Sequence, residues 1–175
     1  MFSLCRGTAI VNVLPLDPGE SVTAMVITRE FNDEEYLMMV TRKGTVKRIP
    51  FIALKTNRKG GIRAITLEEG DQLVNVIRTN GNDNILLATA QGMAICFNEN
   101  DVRPMGRDAA GVRGISLSGD DYVVGAEKAE EGKTLLTVTV NGFGKRTELS
   151  EYLRTGPDGQ KVYLSGHYVI NRRIF

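Results

Sequence analysis

One hairpin sequence occurs three times in this chain, and it fixes the same short stretch of geometry each time. The copies are Thr41-Arg42-Lys43-Gly44-Thr45-Val46-Lys47-Arg48, Thr89-Ala90-Gln91-Gly92-Met93-Ala94-Ile95-Cys96 and Thr139-Val140-Asn141-Gly142-Phe143-Gly144-Lys145-Arg146. Each opens on Thr, reaches Gly three residues later and runs into a short strand. Recurrence at roughly fifty residues marks a repeat architecture, in which units bury their apolar faces against one another.

Other landmarks keep the register. Leu16, Leu67 and Leu117 end closing strands, Val22, Leu73 and Val123 open the next ones, and Gly61, Gly111 and Gly159 precede the closing strands. No window holds a sustained helical period. Short runs of Val, Ile, Thr and Leu broken by Gly, Asn and Asp read as all-β. The first unit is expected to place strands at Ser21–Thr28, Tyr36–Val40, Thr45–Ile49 and Ile62–Leu67. The second has Leu73–Arg78, Asn84–Thr89, Met93–Phe97 and Val112–Leu117, and the third Tyr122–Ala126, Thr134–Val140, Phe143–Thr147 and Gln160–Leu164. The units run 18–67, 68–117 and 118–165; residues 1–17 read as the closing strand of a preceding blade and 166–175 as a divergent tail. Tyr36–Val40 is continuously apolar, as suits a strand covered on both faces. Asn141-Gly142 predicts a type I′ turn, which needs φ > 0 at both central residues. A small four-stranded sheet cannot bury its own face, so a propeller-like radial array of blades is the natural arrangement.

With 175 residues, 42% of them hydrophobic, the chain can bury a real core. No run approaches the roughly 20 apolar residues of a membrane span. The start, MFSLCRGTAIVNVLPL, lacks the basic region and cleavage site of a signal peptide. Cys5 and Cys96 form no CxxC motif and His167 is the single histidine, so neither a metal centre nor a cofactor site is expected. Two such cysteines fit a reducing cytoplasm.

The net charge of +1 hides an asymmetry. Between Thr41 and Thr66 lie Arg42, Lys43, Lys47, Arg48, Lys55, Arg58, Lys59 and Arg63 and no acid, leaving 14 basic residues against 21 acidic ones elsewhere. Lys and Arg on one surface neutralise phosphates and release counterions, giving affinity for a nucleic acid without base reading. The Lys47-Arg48 pair recurs as Lys145-Arg146, but the second unit has Ile95 and Cys96 there. In that unit Arg103, Arg107 and Arg113 are the expected contributors, Arg113 standing where the first unit has Arg63 and the third Lys161. Alternation sends adjacent side chains to opposite faces, so one of Lys47 and Arg48 is expected at a phosphate and the other at a blade interface.

Other constellations carry less. Asn82-Asp83, Asp120-Asp121 and Glu34-Glu35 sit in turn-like segments and read as solvated acids rather than an acid/base or Mg²⁺ pair. Tyr36, Tyr122, Tyr152, Tyr163 and Tyr168 read as strand packing, as do Met38, Met39, Met93 and Met105. No Gly-rich loop of Walker type is present, and no catalytic residue is assigned.

IVNVLPL, TRKGTVKR, FNENDVRPMGRDAAGVRGISL and TVNGFGKRTELSEY together resemble the C-terminal domain of DNA gyrase A, over residues 6 to about 165. The resemblance implies a β-pinwheel of blades that exchange strands, of which about three of the family's six are present. It implies a basic outer rim that binds and wraps double-stranded DNA without sequence preference and presents a segment to the gate in the rest of gyrase A. With gyrase B, ATP and Mg²⁺, the holoenzyme, an isomerase, introduces negative supercoils; its catalytic tyrosine and ATP site lie outside this domain. It further implies a bacterial, nucleoid-associated location. The family's Gln-Arg-Arg-Gly-Gly-Lys-Gly signature is absent, and MFSLC and HYVINRRIF depart from the family pattern. Two exposed ends of a half-ring suggest either a ring of two copies or an open arc. The alternatives are the related topoisomerase IV domain, which steers DNA, and a propeller-like protein-interaction module.

Overall fold

The computed structural model describes residues 7–28, 30–58 and 60–152, with the backbone of two further short strands. The described strands follow in order: β1 Tyr36–Thr41, β2 Thr45–Pro50, β3 Leu73–Thr79, β4 Asn84–Thr89, β5 Met93–Asn98, β6 Val112–Arg113, β7 Val123–Lys128, β8 Thr134–Thr139, β9 Gly144–Glu148, β10 Val162–Tyr163 and β11 Tyr168–Val169. Among the described residues there is no α-helix, only 3₁₀ turns such as Phe51–Leu54, Glu99–Asp101 and Leu149–Glu151.

The three hairpins share one chemistry. Gly44, Gly92 and Gly142 donate their N–H groups to Thr41, Thr89 and Thr139 carbonyls at 3.1, 3.1 and 2.9 Å. Each threonine hydroxyl then accepts the N–H four residues on, from Thr45, Met93 and Phe143. The three glycines have φ of 85, 83 and 83°, and among the described residues no other residue type has positive φ. Asn141 therefore lies at negative φ, and the expected type I′ turn is replaced by a three-residue connection whose last residue alone is left-handed. The recurring Thr-x-x-Gly is thus both cap and hinge of the turn.

The sheets are not the sequence units. Their strand orders are β3-β1-β2-β6, β10-β5-β4-β7 and β11-β8-β9. In the first, the first and last strands of the second unit flank the hairpin of the first. The expectation of one self-contained four-stranded sheet per unit is corrected on this point: each hairpin stays local, and its outer strands come from further along the chain. The exchanged strands keep register. Leu73 pairs with Thr41, Val123 with Thr89 and Tyr168 with Thr139, so the tail read as divergent supplies an outer strand where the other sheets have theirs.

Three expected strands do not form. Ile10–Asn12 is a 3₁₀ turn inside the stretch 1–17 read as a closing strand, and 21–28 and 62–67 pair with no strand among the described residues. By register these last two match the outer strands that elsewhere flank the hairpin of the unit before them. They instead lay Val26, Ala64 and Ile65 against Leu37, Met39, Ile49 and Phe51 on the outer face of the first sheet. The other face, with Met38, Val40 and Val46, meets Ile85, Leu87, Val102, Met105, Ile115 and Val123. Both faces of β1 are therefore covered, as its unbroken apolar run demands. A further cluster, with Leu86, Ala94, Cys96, Leu135, Leu149 and Tyr152, fills the space between the second and third sheets. Each fully buried aliphatic side chain contributes about 1.5–3 kcal/mol, so the stability of the array lies between the sheets.

Candidate nucleic-acid interface

Lys47 and Arg48 point into the molecule. Lys47 is 0% exposed and Arg48 3%. The segment that follows β5 lies across β2 and covers them. Met105 N–H donates to the Arg48 carbonyl at 2.8 Å and Gly114 N–H to the Gly44 carbonyl at 2.9 Å, while Val112 and Arg113 pair with Val46 and Thr45. Lys47 Nζ donates to the carbonyls of Ala64 and Arg107 at 2.8 and 2.6 Å. Burial holds its ammonium below the usual lysine range, against a smaller opposing pull from Asp108.

Arg48 has an acid as partner. Its Nε lies 3.0 Å from Glu99 Oε2, a contact between charges rather than an aligned hydrogen bond. Nη1 donates to the Glu99 carbonyl and Asn100 Oδ1 at 3.2 and 3.0 Å, and the guanidinium lies 3.8 Å from the Tyr36 ring centre. Glu99, itself 0% exposed, also accepts from Thr79 Oγ1 and from the N–H groups of Gly81 and Asp83 at 2.7–2.8 Å. A buried charge pair is tolerable only when its remaining polar atoms are satisfied in this way. The expectation that one of the two lies at a phosphate is thus corrected: they stand on opposite faces of β2 and both are covered, Arg48 by the second unit and Lys47 by segments of the first and the second. Sequence reasoning misses Glu99; an acid directly after the strand, three residues past Cys96, against an arginine one unit earlier is its only trace.

The exposed cations are the others. Lys43, Lys55, Arg58, Arg63, Arg103, Arg107, Arg113, Lys145 and Arg146 are exposed, and Lys59 lies outside the described residues. Lys43 Nζ donates to the Glu69 carbonyl at 2.6 Å. Arg42 is half-buried, its guanidinium 3.4 Å from the Tyr122 ring centre, a stacking partner that strand packing alone does not suggest. The two carbonyls on Lys47 bring the backbones at Ala64 and Arg107 to one place. Arg113 faces Thr45 near the turn that carries Arg42 and Lys43, and Pro104 bridges to Arg48. Arg63, Arg103, Arg107 and Arg113 therefore gather around β2, above the buried pair, with Asp108 as an exposed acid among them.

The acidic pairs serve structure. Asp83 pairs with Lys128 at 2.9 Å, Glu35 with Arg78 at 2.6 Å, and Asp121 Oδ1 accepts the N–H groups of Gln91 and Tyr122. Tyr152 packs in the core between the second and third sheets. No group of three or more His, Cys, Asp or Glu among the described residues could hold a metal ion. No helix there is long and apolar enough to cross a membrane.

Residues 35–80, 83–130 and 133–164 match the family described as DNA gyrase C-terminal domain, beta-propeller. The first two blocks each end on the outer strand that pairs with their own hairpin. The DNA gyrase A protein of Salmonella typhimurium is 44% identical over 147 residues, which are 84% of this chain and 17% of that protein. The DNA gyrase A protein of Haloquadratum walsbyi is 42% identical over 166 residues, covering 91% of this chain and 19% of its own length. The chain thus spans less than a fifth of these curated relatives. Among solved structures, the crystal structure of the C-terminal domain of DNA topoisomerase IV matches with TM-score 0.78 at 29% identity, over 94% of this chain and 49% of that one. The structure of the DNA gyrase A C-terminal domain matches with TM-score 0.68 at 27% identity, over 79% and 46%. With its three hairpin blocks matched in order and its sheets arranged as in these structures, the chain belongs to the DNA gyrase C-terminal domain family.

Proposed function

We propose that this region binds duplex DNA without sequence preference and curves it along the exposed cations around β2, in support of ATP-dependent negative supercoiling by a gyrase. The observation that carries this is that the segments bearing the exposed Arg63, Arg103, Arg107 and Arg113 run close to β2, with Arg42 and Lys43 at its turn. Lys55 and Arg58, both exposed, lie on the loop leading to Arg63 and extend the contact, and Lys59 follows them in the sequence. Bending a duplex by 40–90° costs on the order of 1–6 kcal/mol, which several phosphate contacts offset. The relatives' name supports membership of a gyrase assembly; the further reading is an assembly with the rest of gyrase A and with gyrase B, in the bacterial cytoplasm at the nucleoid. Pairing of two half-rings is the weaker reading, because the position equivalent to Glu99 is Phe51, which is buried in the first unit's own cluster and offers Arg146 of another copy no carboxylate.

Anisotropy of a labelled mixed-sequence duplex tests the reading. Binding is expected to weaken steeply between about 50 and 200 mM salt. Arg63→Glu with Arg107→Glu is expected to weaken it on every sequence alike and to reduce the salt slope by about one per lost contact. Affinity indifferent to salt or to these changes would refute it. The higher TM-score with a topoisomerase IV domain favours a second reading, steering without strong wrapping. Topoisomer shifts in a relaxed circle separate the two, since wrapping alone traps supercoils.

A further inference from the structure

Counted from their threonines, the three hairpins match position by position. Lys47, Ile95 and Lys145 are equivalent, as are Arg48, Cys96 and Arg146, and Phe51, Glu99 and Leu149. At the first junction Arg48 meets Glu99, and at the second Cys96 and Leu149 share one apolar cluster. At the position before them, Ile95 packs against the apolar cluster between the first two sheets. A unit of this chain therefore folds with hydrocarbon at the register of Lys47, and the hairpin itself does not call for a buried ammonium there.

What sets Lys47 apart is the two segments that meet on it. Its Nζ donates to the Ala64 carbonyl of one and the Arg107 carbonyl of the other, at 2.8 and 2.6 Å. Arg107 is itself an exposed cation, and the exposed Arg63 immediately precedes Ala64. The ammonium thus holds the backbone of each segment inside while the guanidinium-bearing side chain stays in solvent. Among the described residues no other hydrogen bond ties 60–67 to β2. Ala64 and Ile65 add apolar packing there, which is non-directional and does not by itself fix where Arg63 stands. Burying the ammonium carries a desolvation cost, visible in its weakened hold on its proton.

We infer that Lys47 is a positioning residue for duplex binding: its ammonium clamps two chain segments so that Arg63 and Arg107 are held in place before a phosphate backbone arrives. The inference rests on the DNA reading above and deepens it. Lys47 is fully buried and touches no phosphate. It acts by preorganisation, sparing the duplex the cost of ordering two loops as it binds. Asp108, exposed beside Arg107, attracts the Lys47 charge, so a role for charge alone has to be separated from a role for the two hydrogen bonds.

The test uses the full chain and a labelled mixed-sequence duplex. Lys47→Ile, the residue type the second unit has here, is expected to lower affinity about tenfold through lost preorganisation. The slope of log affinity against log salt should stay as in the wild type, because no phosphate contact is removed. Arg63→Gln with Arg107→Gln should instead reduce that slope by about one per lost contact. In that background Lys47→Ile should cost nothing more, since it acts only through those two residues. Adding Asp108→Asn to Lys47→Ile restores the net charge and should not restore affinity. Amide exchange reads the clamp without DNA. The N–H groups of Gly61 and Ala109, bonded within their own segments at 3.1 and 3.3 Å, should exchange faster in Lys47→Ile. Should that variant not fold, Lys47→Gln takes its place throughout. Unchanged exchange at both amides, additive losses with the arginine changes, or affinity regained with Asp108→Asn would overturn the inference. Salt-sensitive wild-type binding that Lys47→Ile leaves intact would refute the clamp alone, whereas wild-type binding indifferent to salt would refute the DNA reading and the clamp's part in it.

Discussion

Arg48 and Arg146 occupy one register of one repeated hairpin, yet one is buried on a glutamate and the other faces solvent. The sequence shows that they are equivalent. It does not show which is covered, because the cover comes from residues some fifty positions away. Local alternation predicts only that Lys47 and Arg48 face opposite sides, and here both sides are occupied. The energetics of the buried pair can be read directly. Glu99→Gln leaves the Arg48 guanidinium buried without its counter-charge and is expected to cost about 3–5 kcal/mol in urea unfolding. Installing the pair of the second junction, Arg48→Cys with Glu99→Leu, should recover only part of that. The N–H groups of Gly81 and Asp83 and the Thr79 hydroxyl would lose their acceptor, at about 1–3 kcal/mol for each buried group left unmet.

The hairpins are legible in the sequence because everything they need is local: a threonine cap, a glycine three residues on and flanking runs with strand propensity. The turn type is not, since Asn-Gly fits two geometries and the threonine hydroxyl, bonding four residues on, favours the longer one. The exchange of outer strands follows from the family resemblance alone, because spacing says that a strand exists and not which hairpin it joins. Two equivalent glycines measure that exchange. Gly111 has φ +103, and a Cβ there would lie 2.7 Å from the Val46 carbonyl oxygen and 2.8 Å from Thr45 Cγ2. Gly61 has φ +70 and nothing within 4 Å. Gly111→Ala should therefore cost the backbone strain of about 1–3 kcal/mol plus the displaced β2–β6 contact. Gly61→Ala should cost the strain alone. Chemical denaturation of the two variants side by side checks the difference, and equal losses would mean that β6 contributes little.

The whole array unfolds as one body or by junctions, and alkaline titration reports on the middle of it. Burial between the second and third sheets pushes the Cys96 thiol from 9.0 up to about 11. The unfolded chain ionises this group first as pH rises, so the folded state holds more protons between those values and stability falls across that window. The loss amounts to roughly 2–3 kcal/mol once both states are ionised. Lys47 works in the opposite direction, because its lowered value lets the folded state release a proton before the unfolded one. Cys96→Ala should remove the fall between about pH 9 and 11 in urea midpoints measured across that range, and a fall of undiminished size would place its origin elsewhere.

The segment that covers β2 also has a consequence for how such chains can be rearranged. Since the hairpins are geometrically alike, any unit could in outline be cut out and set beside any other. The junction pairs forbid it. Moving the unit that carries Glu99 next to the hairpin of Cys96 would bury a carboxylate against a thiol, and moving Leu149 beside Arg48 would strand a guanidinium in hydrocarbon. The order of the units is therefore written into their seams, and shuffling by recombination would be punished even where every turn and strand remained intact.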